Sequence, residues 1–184
     1  MSDQIQGRLV RLRPVRPGDH ALIVGWQNEP EVWRLMDYDR SFTLEDIQRL
    51  EAQAESEGSP FIIEVDGRPI GRIGLNQHRP RDRVCSLYVF IGEPDQWGKG
   101  FGTDAILAIL GYAFETLDMH LVELWSLASN LRALRVYRAC GFSIDGTLRE
   151  RSFKDGHWQD RVVLSIRRDE FQATWQRMRP SGVD

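Results

Sequence analysis

The sequence is short of the features that define several classes of protein. Among 184 residues it has two cysteines, Cys85 and Cys140. They stand far apart and without metal-ligand spacing, which argues against a disulfide framework and against a zinc site. Both read as free thiols of the core. No apolar run approaches the length that spans a bilayer. Met1 to Gly7 is polar where a secretory leader would carry an apolar stretch. Repeats, heptads and low-complexity tracts are missing, and no Pro/Gly/Ser-rich linker divides the chain. An excess of one charge is missing too: 24 Lys and Arg against 27 Asp and Glu leave −3. That balance gives no footing for a nucleic-acid surface, and it suits a cationic partner only weakly. The expectation is one domain over residues 1–184 in a reducing cytoplasm, with no membrane, nucleic acid or metal. Only the first few residues and Pro180 to Asp184 read as disordered.

What is present is a clear alternation of elements. Arg8 to Arg13 alternates Leu and Val with Arg, which predicts a strand. Pro14 to Gly18 breaks it, and Asp19 is a candidate cap for a helix running to about Gln27. Thr43 is a candidate cap for a second helix, Leu44 to Glu55. Phe61 to Val65 and Pro69 to Leu75 are strand candidates joined by the hairpin signal Asp66-Gly67. Val84 to Ile91 follows as a third. Ile106, Ile109, Leu110, Ala113, Phe114 and Leu117 then repeat at helical spacing. Leu121 to Leu127 reads as a buried strand, and Leu131 to Ala139 as a helix stopped by Gly141. Phe142 to Phe153 and Trp158 to Ile166 form a hairpin around Asp155-Gly156. A last helix spans about Arg168 to Met178. The fold class is therefore α/β: one mixed, mostly antiparallel sheet flanked by helices.

The most informative stretch is Gly92 to Thr103. Gly98, Gly100 and Gly102 alternate where the apolar helix must begin. Glycine costs stability in a helix, so three there need a reason. A close approach of backbone to ligand is one, since successive free N–H groups at a helix start bind phosphate oxygens. Lys99 and the Thr103 hydroxyl stand beside them. A glycine-rich turn without a ligand is the plainer alternative. A dinucleotide fingerprint does not fit, because the preceding strands form a meander. A P-loop does not fit either, for want of Gly-Lys-Ser/Thr.

A second cluster runs from Ser129 to Phe142. Asn130 follows a strand and opens a helix, where a capping residue is expected. Tyr137 lies seven residues on, almost two turns, so the two share a side. A capping Asn with a core Tyr is the plainer reading, against a pair that faces a ligand.

Together these stretches resemble the GNAT superfamily of N-acetyltransferases. Its pyrophosphate motif falls here on Trp97, Gly98, Lys99, Gly100, Phe101 and Gly102, with Trp97 in place of the usual first Arg or Gln. The later motif falls on Asn130 to Phe142. Trp26 to Val32, Gly92 to Gly100, His120 and the Lys154 to Gly156 turn are similar to the RimJ/RimL-like branch. The resemblance covers about Arg8 to Arg168. It implies acetyl-CoA as acetyl donor, held by Phe90, Ile91, Gly92, Trp97 to Thr103 and Asn130. It implies Tyr137 as general acid to the departing thiolate and a backbone N–H at the strand end Phe90 to Gly92 as the group that polarises the thioester. The base is left open between Glu93, Glu123 and a chain of waters.

The expected acceptor is a primary amine, bound where the first helix, the connection after it and the final hairpin meet, with Trp26, Asn28, Glu29 and Trp33 as candidates and simple core packing as the alternative for the two tryptophans. A protein N-terminus, as in the RimJ/RimL-like branch, leads. A small amine such as an aminoglycoside, polyamine or amino acid is nearly level with it. A homodimer is compatible with the reading. A non-catalytic acetyl-CoA sensor is the alternative from another class, and it leaves a general acid without a purpose.

Overall fold

The structure is a computed structural model that describes residues 4–178. The extreme termini that read as disordered lie outside the described residues. Eight strands form one sheet in the order β1-β2-β3-β4-β5-β6-β8-β7. The strands are β1 (Ile5–Gln6), β2 (Arg11–Pro14), β3 (Ser59–Val65), β4 (Arg68–Arg79), β5 (Val84–Ile91), β6 (Leu121–Leu127), β7 (Ser143–Lys154) and β8 (His157–Arg167). All neighbours are antiparallel except β5 and β6. The helices are α1 (His20–Asn28), α2 (Pro30–Leu35), α3 (Leu44–Glu57), α4 (Phe101–Gly111), α5 (Leu131–Ala139) and α6 (Arg168–Met178).

The mixed sheet and most elements agree with the pattern of apolar positions. The first strand differs. The stretch expected over Arg8 to Arg13 is cut in two, because Gly7 N–H bonds Val10 O at 2.9 Å and turns the chain. Asp19 differs as well. It makes no side-chain cap bond to α1; its carboxylate accepts from Arg13 at 2.7 and 2.9 Å and from Arg16 N–H at 2.8 Å. A buried guanidinium outcompetes the helix end for that acid. Thr43 does cap α3: its hydroxyl accepts from Asp46 N–H at 3.2 Å, and the Asp46 carboxylate accepts from Thr43 N–H at 3.0 Å. That reciprocal box stabilises by on the order of 1 kcal/mol. The apolar run expected to continue α4 to Leu117 instead widens into a π turn over Tyr112–Thr116. There Phe114 packs on Phe171 of α6 at 5.3 Å.

Two apolar layers hold the helices to the sheet. One gathers Ile106, Ile109 and Leu110 of α4 with Leu75, Val122, Leu164 and Phe171. The other gathers Ile23 and Trp26 of α1 with Ile47, Ile62 and Phe90. Each fully buried Ile or Leu contributes roughly 1.5–3 kcal/mol.

The feature that makes a site is the junction of β5 and β6. They pair in parallel only at Val84 with Leu121, Cys85 with Val122 and Ser86 with Glu123. Beyond that point they diverge, and the sheet opens like a fork. The glycine-rich turn and α4 follow β5 at one prong; α5 follows β6 at the other.

Candidate active site

A cavity of about 800 Å³ fills the fork. Its floor is Leu87 to Ile91 on one side and Leu124 to Leu127 on the other. At one end it reaches Gln96 to Gly98 and Gly100 to Thr103, and at the other Val32, Leu35, Met36 and Asp37.

The glycine turn is shaped by backbone. Gly98 and Gly100 have φ of 77° and 86°. That left-handed region is costly for any residue with a Cβ. Gly102 sits inside α4, where a Cβ would meet nothing nearer than Ile91 at 3.9 Å. Neither φ nor crowding by protein requires glycine there. The N–H groups of Gly98 to Thr103 find no acceptor among the described residues. Free amides converging at a helix start make a cradle for an anion. The diphosphate of a coenzyme A ester fits that chemistry. Trp97 frames the cradle: its indole N–H donates to Ile91 O at 2.9 Å, and the Arg132 guanidinium lies 3.8 Å over its ring. Lys99 does not line the cavity; its ammonium bonds Gln96 Oε1 at 3.2 Å.

Strand alternation decides which β5 amides face the fork. Gly92 N–H donates to Ile70 O at 2.8 Å, on the β4 side. Amides on one edge recur every second residue, so Phe90 also faces β4, while Val89 and Ile91 face the opening. Of the expected trio, Ile91 is thus the one whose N–H is free toward the cavity. Gly92 has a packing duty instead: a Cβ would stand 2.1 Å from the Trp26 ring.

Tyr137 and Asn130 both line the cavity. Tyr137 is 9% exposed, and its hydroxyl has no hydrogen-bond partner among the described residues. Burial pushes its phenol up to about 12, so it holds its proton throughout the neutral range. Asn130 is more committed. Its Oδ1 caps α5 by accepting from Ala133 N–H at 3.2 Å, and its Nδ2 donates to Leu35 O at 3.2 Å.

The expected acceptor residues lie elsewhere. Trp26, Asn28, Glu29 and Trp33 do not line the cavity. Trp26 is 3% exposed and its indole donates to Glu93 at 2.8 Å. Asn28 exchanges two bonds with the Phe42 backbone, at 2.8 and 2.9 Å. Glu29 begins α2, and Trp33 packs on Tyr38 with centroids 5.7 Å apart. Val32 and Leu35 of α2, with Met36 and Asp37 just past its end, supply the wall instead. Glu93 is bound to Trp26 and to Arg68 at 2.8 Å each and is off the cavity. Glu123 lines it, at the base of the fork, with Oε1 held by Arg79 at 2.9 Å and approached by the Ser86 hydroxyl at 3.4 Å.

Sequence reasoning pointed to the connection after the first helix and to the final hairpin but not to Asp37, Leu148 and Arg161 on them, and it missed Trp125 and Arg132; all five line the cavity. Trp125 carried a usable signal: it shares the parity of Glu123 on β6, the face away from α4. Among the described residues no cluster of three or more His, Cys, Asp or Glu side chains is arranged for a metal. No helix among them is long and apolar enough to cross a membrane.

A fork in a mixed sheet, a cradle of free amides and a buried phenol between them describe a site for a thioester donor. Residues 9–143 match the family described as acetyltransferase (GNAT) domain, and the chain belongs to that family. The spermidine N(1)-acetyltransferase of Escherichia coli K12 is 26% identical over 167 residues, 89% of each chain. The solved spermidine N-acetyltransferase of Vibrio cholerae in complex with CoA and spermine superposes with a TM-score of 0.83 at 24% identity, over 89% of this chain and 98% of that one. Mycobacterium smegmatis RimJ in complex with CoA-disulfide superposes with a TM-score of 0.81 at 20% identity, over 91% and 88%. The protein is an N-acetyltransferase with acetyl-CoA as its donor.

Proposed function

We propose that the enzyme transfers the acetyl group to a small primary amine by direct attack within the fork. The observation that carries this reading is a single cavity that runs from the free amides of Gly98 to Thr103 to the unpartnered hydroxyl of Tyr137. The whole chain is read as one such domain, since β8, beyond the family match, contributes Arg161 and Val163 to the cavity wall.

Bound acetyl-CoA supplies the activated carbonyl and a thiolate leaving group. The chain's residues do the rest. The amides of Gly98 and Gly100 to Thr103 hold the diphosphate, with Arg132 beside them and Trp97 bracing the turn. The N–H groups of Val89 and Ile91 offer donors along the open edge of β5 for the pantetheine arm and the carbonyl oxygen. Asn130 fixes the start of α5 and its tie to α2, which sets the Tyr137 side of the wall. Tyr137 donates its proton to the sulfur as the bond breaks. Glu123 has one carboxylate oxygen without a partner among the described residues, and that oxygen is the acceptor for the proton the ammonium must lose.

The sequence left a protein N-terminus and a small amine nearly level as acceptors. The small amine is favoured by how the hairpin of β7 and β8 is strapped to α2. Lys154 donates to Trp33 O at 2.9 Å and to Met36 O at 2.5 Å. Arg161 and Ser152 both bond Asp37. These ties bound the acceptor end where an extended peptide would have to pass. The relatives named for spermidine lean the same way. A sensor without catalysis would have no use for a protonated phenol facing the cavity.

The test is thiol release from acetyl-CoA with a panel of small amines, N-terminal peptides and no acceptor. Release driven by small amines and reduced in Tyr137→Phe is the expected result. Release no faster with any amine than with none would overturn the reading.

A further inference from the structure

The acceptor end of the cavity is electrically balanced and rimmed by apolar groups. Two carboxylates face it, Asp37 and Glu123. Each is matched by a guanidinium: Arg161 bonds Asp37, and Arg79 bonds Glu123 at 2.9 Å. Behind the Tyr88 wall, Arg72 lies 4.8 Å from that ring and is paired with Glu51 at 2.5 Å. The Lys154 ammonium is bonded to the carbonyl of wall residue Met36 and, among the described residues, to no carboxylate. Of the charged side chains that line the cavity, Asp37 and Glu123 are balanced by Arg132 and Arg161, so the lining is not negative. A polycation gains nothing from such a field.

The mouth tells the complementary story. Trp125 and Leu148 are each 47% exposed although large and apolar, and both line the cavity. The Arg161 guanidinium lies 3.9 Å from the Trp125 ring and fixes it as a flat wall. Met36 and Val163 continue the same surface. Large apolar side chains kept in water at a cavity mouth mark the part of a ligand they cover.

We infer that the acceptor is a monoamine carried on an apolar body, with Trp125 as its specificity-determining residue, and that spermidine is a poor substrate. This rests on the reading of the cavity as an amine acetyltransferase site. Trp125 covers the body of the acceptor while its single amine points toward Tyr137 and the fork. The amine gives up one proton, its nitrogen forms the amide bond as the carbon–sulfur bond breaks, and the sulfur leaves as the thiol.

The experiment compares 2-phenylethylamine with spermidine in two assays: kcat/KM for thiol release, and calorimetric binding to the protein saturated with CoA. 2-Phenylethylamine is expected to lead by roughly tenfold or more in both. Trp125→Ala should weaken its binding by roughly tenfold, with Trp125→Phe restoring most of it; the side chain is half exposed, so the fold tolerates the change. Arg79→Gln leaves Glu123 without its counter-charge and should raise spermidine affinity by roughly two- to fivefold, the scale of an exposed ion pair. Equal or better use of spermidine by the wild type, or a Trp125→Ala variant that binds 2-phenylethylamine unchanged, overturns the inference. Binding of 2-phenylethylamine without turnover of any amine would sink the catalytic reading, and the acceptor assignment that rests on it. Failure of 2-phenylethylamine to bind would sink the inference alone.

Discussion

The two ends of the cavity are made differently. The end at the glycine turn is backbone: amides of Gly98 to Thr103 with no acceptor among the described residues, held open by two left-handed glycines. The acceptor end is side chains, and its charged ones are engaged with one another, as Asp37 is with Arg161 and Glu123 with Arg79. On the function proposed above, a backbone cradle recognises what every acetyl-CoA has in common and leaves little room for variation. A balanced, apolar side-chain wall is where selectivity resides, since each of its groups can change without disturbing the cradle. Tyr137 stands between the two.

The sharpest way to break this division is at Tyr137 itself. Tyr137→Phe keeps the ring against Phe142, 6.0 Å away, and deletes the hydroxyl. Turnover under conditions where chemistry limits should fall by roughly a hundredfold or more. Acetyl-CoA affinity should hardly move, because the loss belongs to the transition state. A wild-type rate would make the hydroxyl structural.

Gly102→Ala probes the cradle. In the free protein the new methyl has room, 3.9 Å from Ile91, and alanine favours a helix over glycine by about 0.5–1 kcal/mol. The variant should therefore melt slightly higher than the wild type while binding acetyl-CoA roughly tenfold or more weakly. A rise in Tm with undiminished affinity would mean that the diphosphate lies elsewhere.

A smaller effect is expected at Asn130, which serves both ends. Asn130→Ala removes the α5 cap and the bond to Leu35 O, at about 1–2 kcal/mol of stability in denaturant melts. If cofactor affinity falls further than that loss explains, Asn130 also touches the cofactor directly.

The smallest effect is an absence. Burial holds the Tyr137 phenol at about 12, so the donating form persists well above neutrality. The pH profile of kcat should show no descending limb up to about pH 10, where an unperturbed phenol would already be half ionised. A fall near pH 9 in the wild type that disappears in Tyr137→Phe would contradict the assignment of the burial effect.

The glycine turn was legible in the sequence as glycines where a helix should start, and two of them do adopt left-handed φ. That Asn130 and Tyr137 line one cavity was legible because helix periodicity puts residues seven apart on one side. At the other end the sequence pointed to elements, the connection after the first helix and the final hairpin, but not to residues. Asp37, Arg161 and Leu148 come from three elements distant in the chain, and which of their side chains meet depends on the strap between the hairpin and α2. Trp26 and Trp33 stand off the cavity, the first buried and bonded to Glu93 and the second packed on Tyr38, since an indole in an amphipathic helix is as well used in packing as above a substrate. Gly92 shows the same ambiguity within the motif itself, because its missing side chain makes room for Trp26 and not for a ligand.

The Asp104 carboxylate, one turn into α4, accepts from the N–H groups of Arg8, Leu9 and Val10 at 3.1, 2.7 and 3.0 Å. Gly7 lies so close that a Cβ there would stand 2.5 Å from Asp104 Oδ2. The helix that begins at the glycine turn is thus riveted to the bend between β1 and β2. Stiffening of that helix by acetyl-CoA should slow deuterium uptake at Arg8 to Val10, nearly a hundred residues upstream. The N-terminal edge of the sheet then serves as a reporter of donor occupancy that needs no acceptor and no turnover.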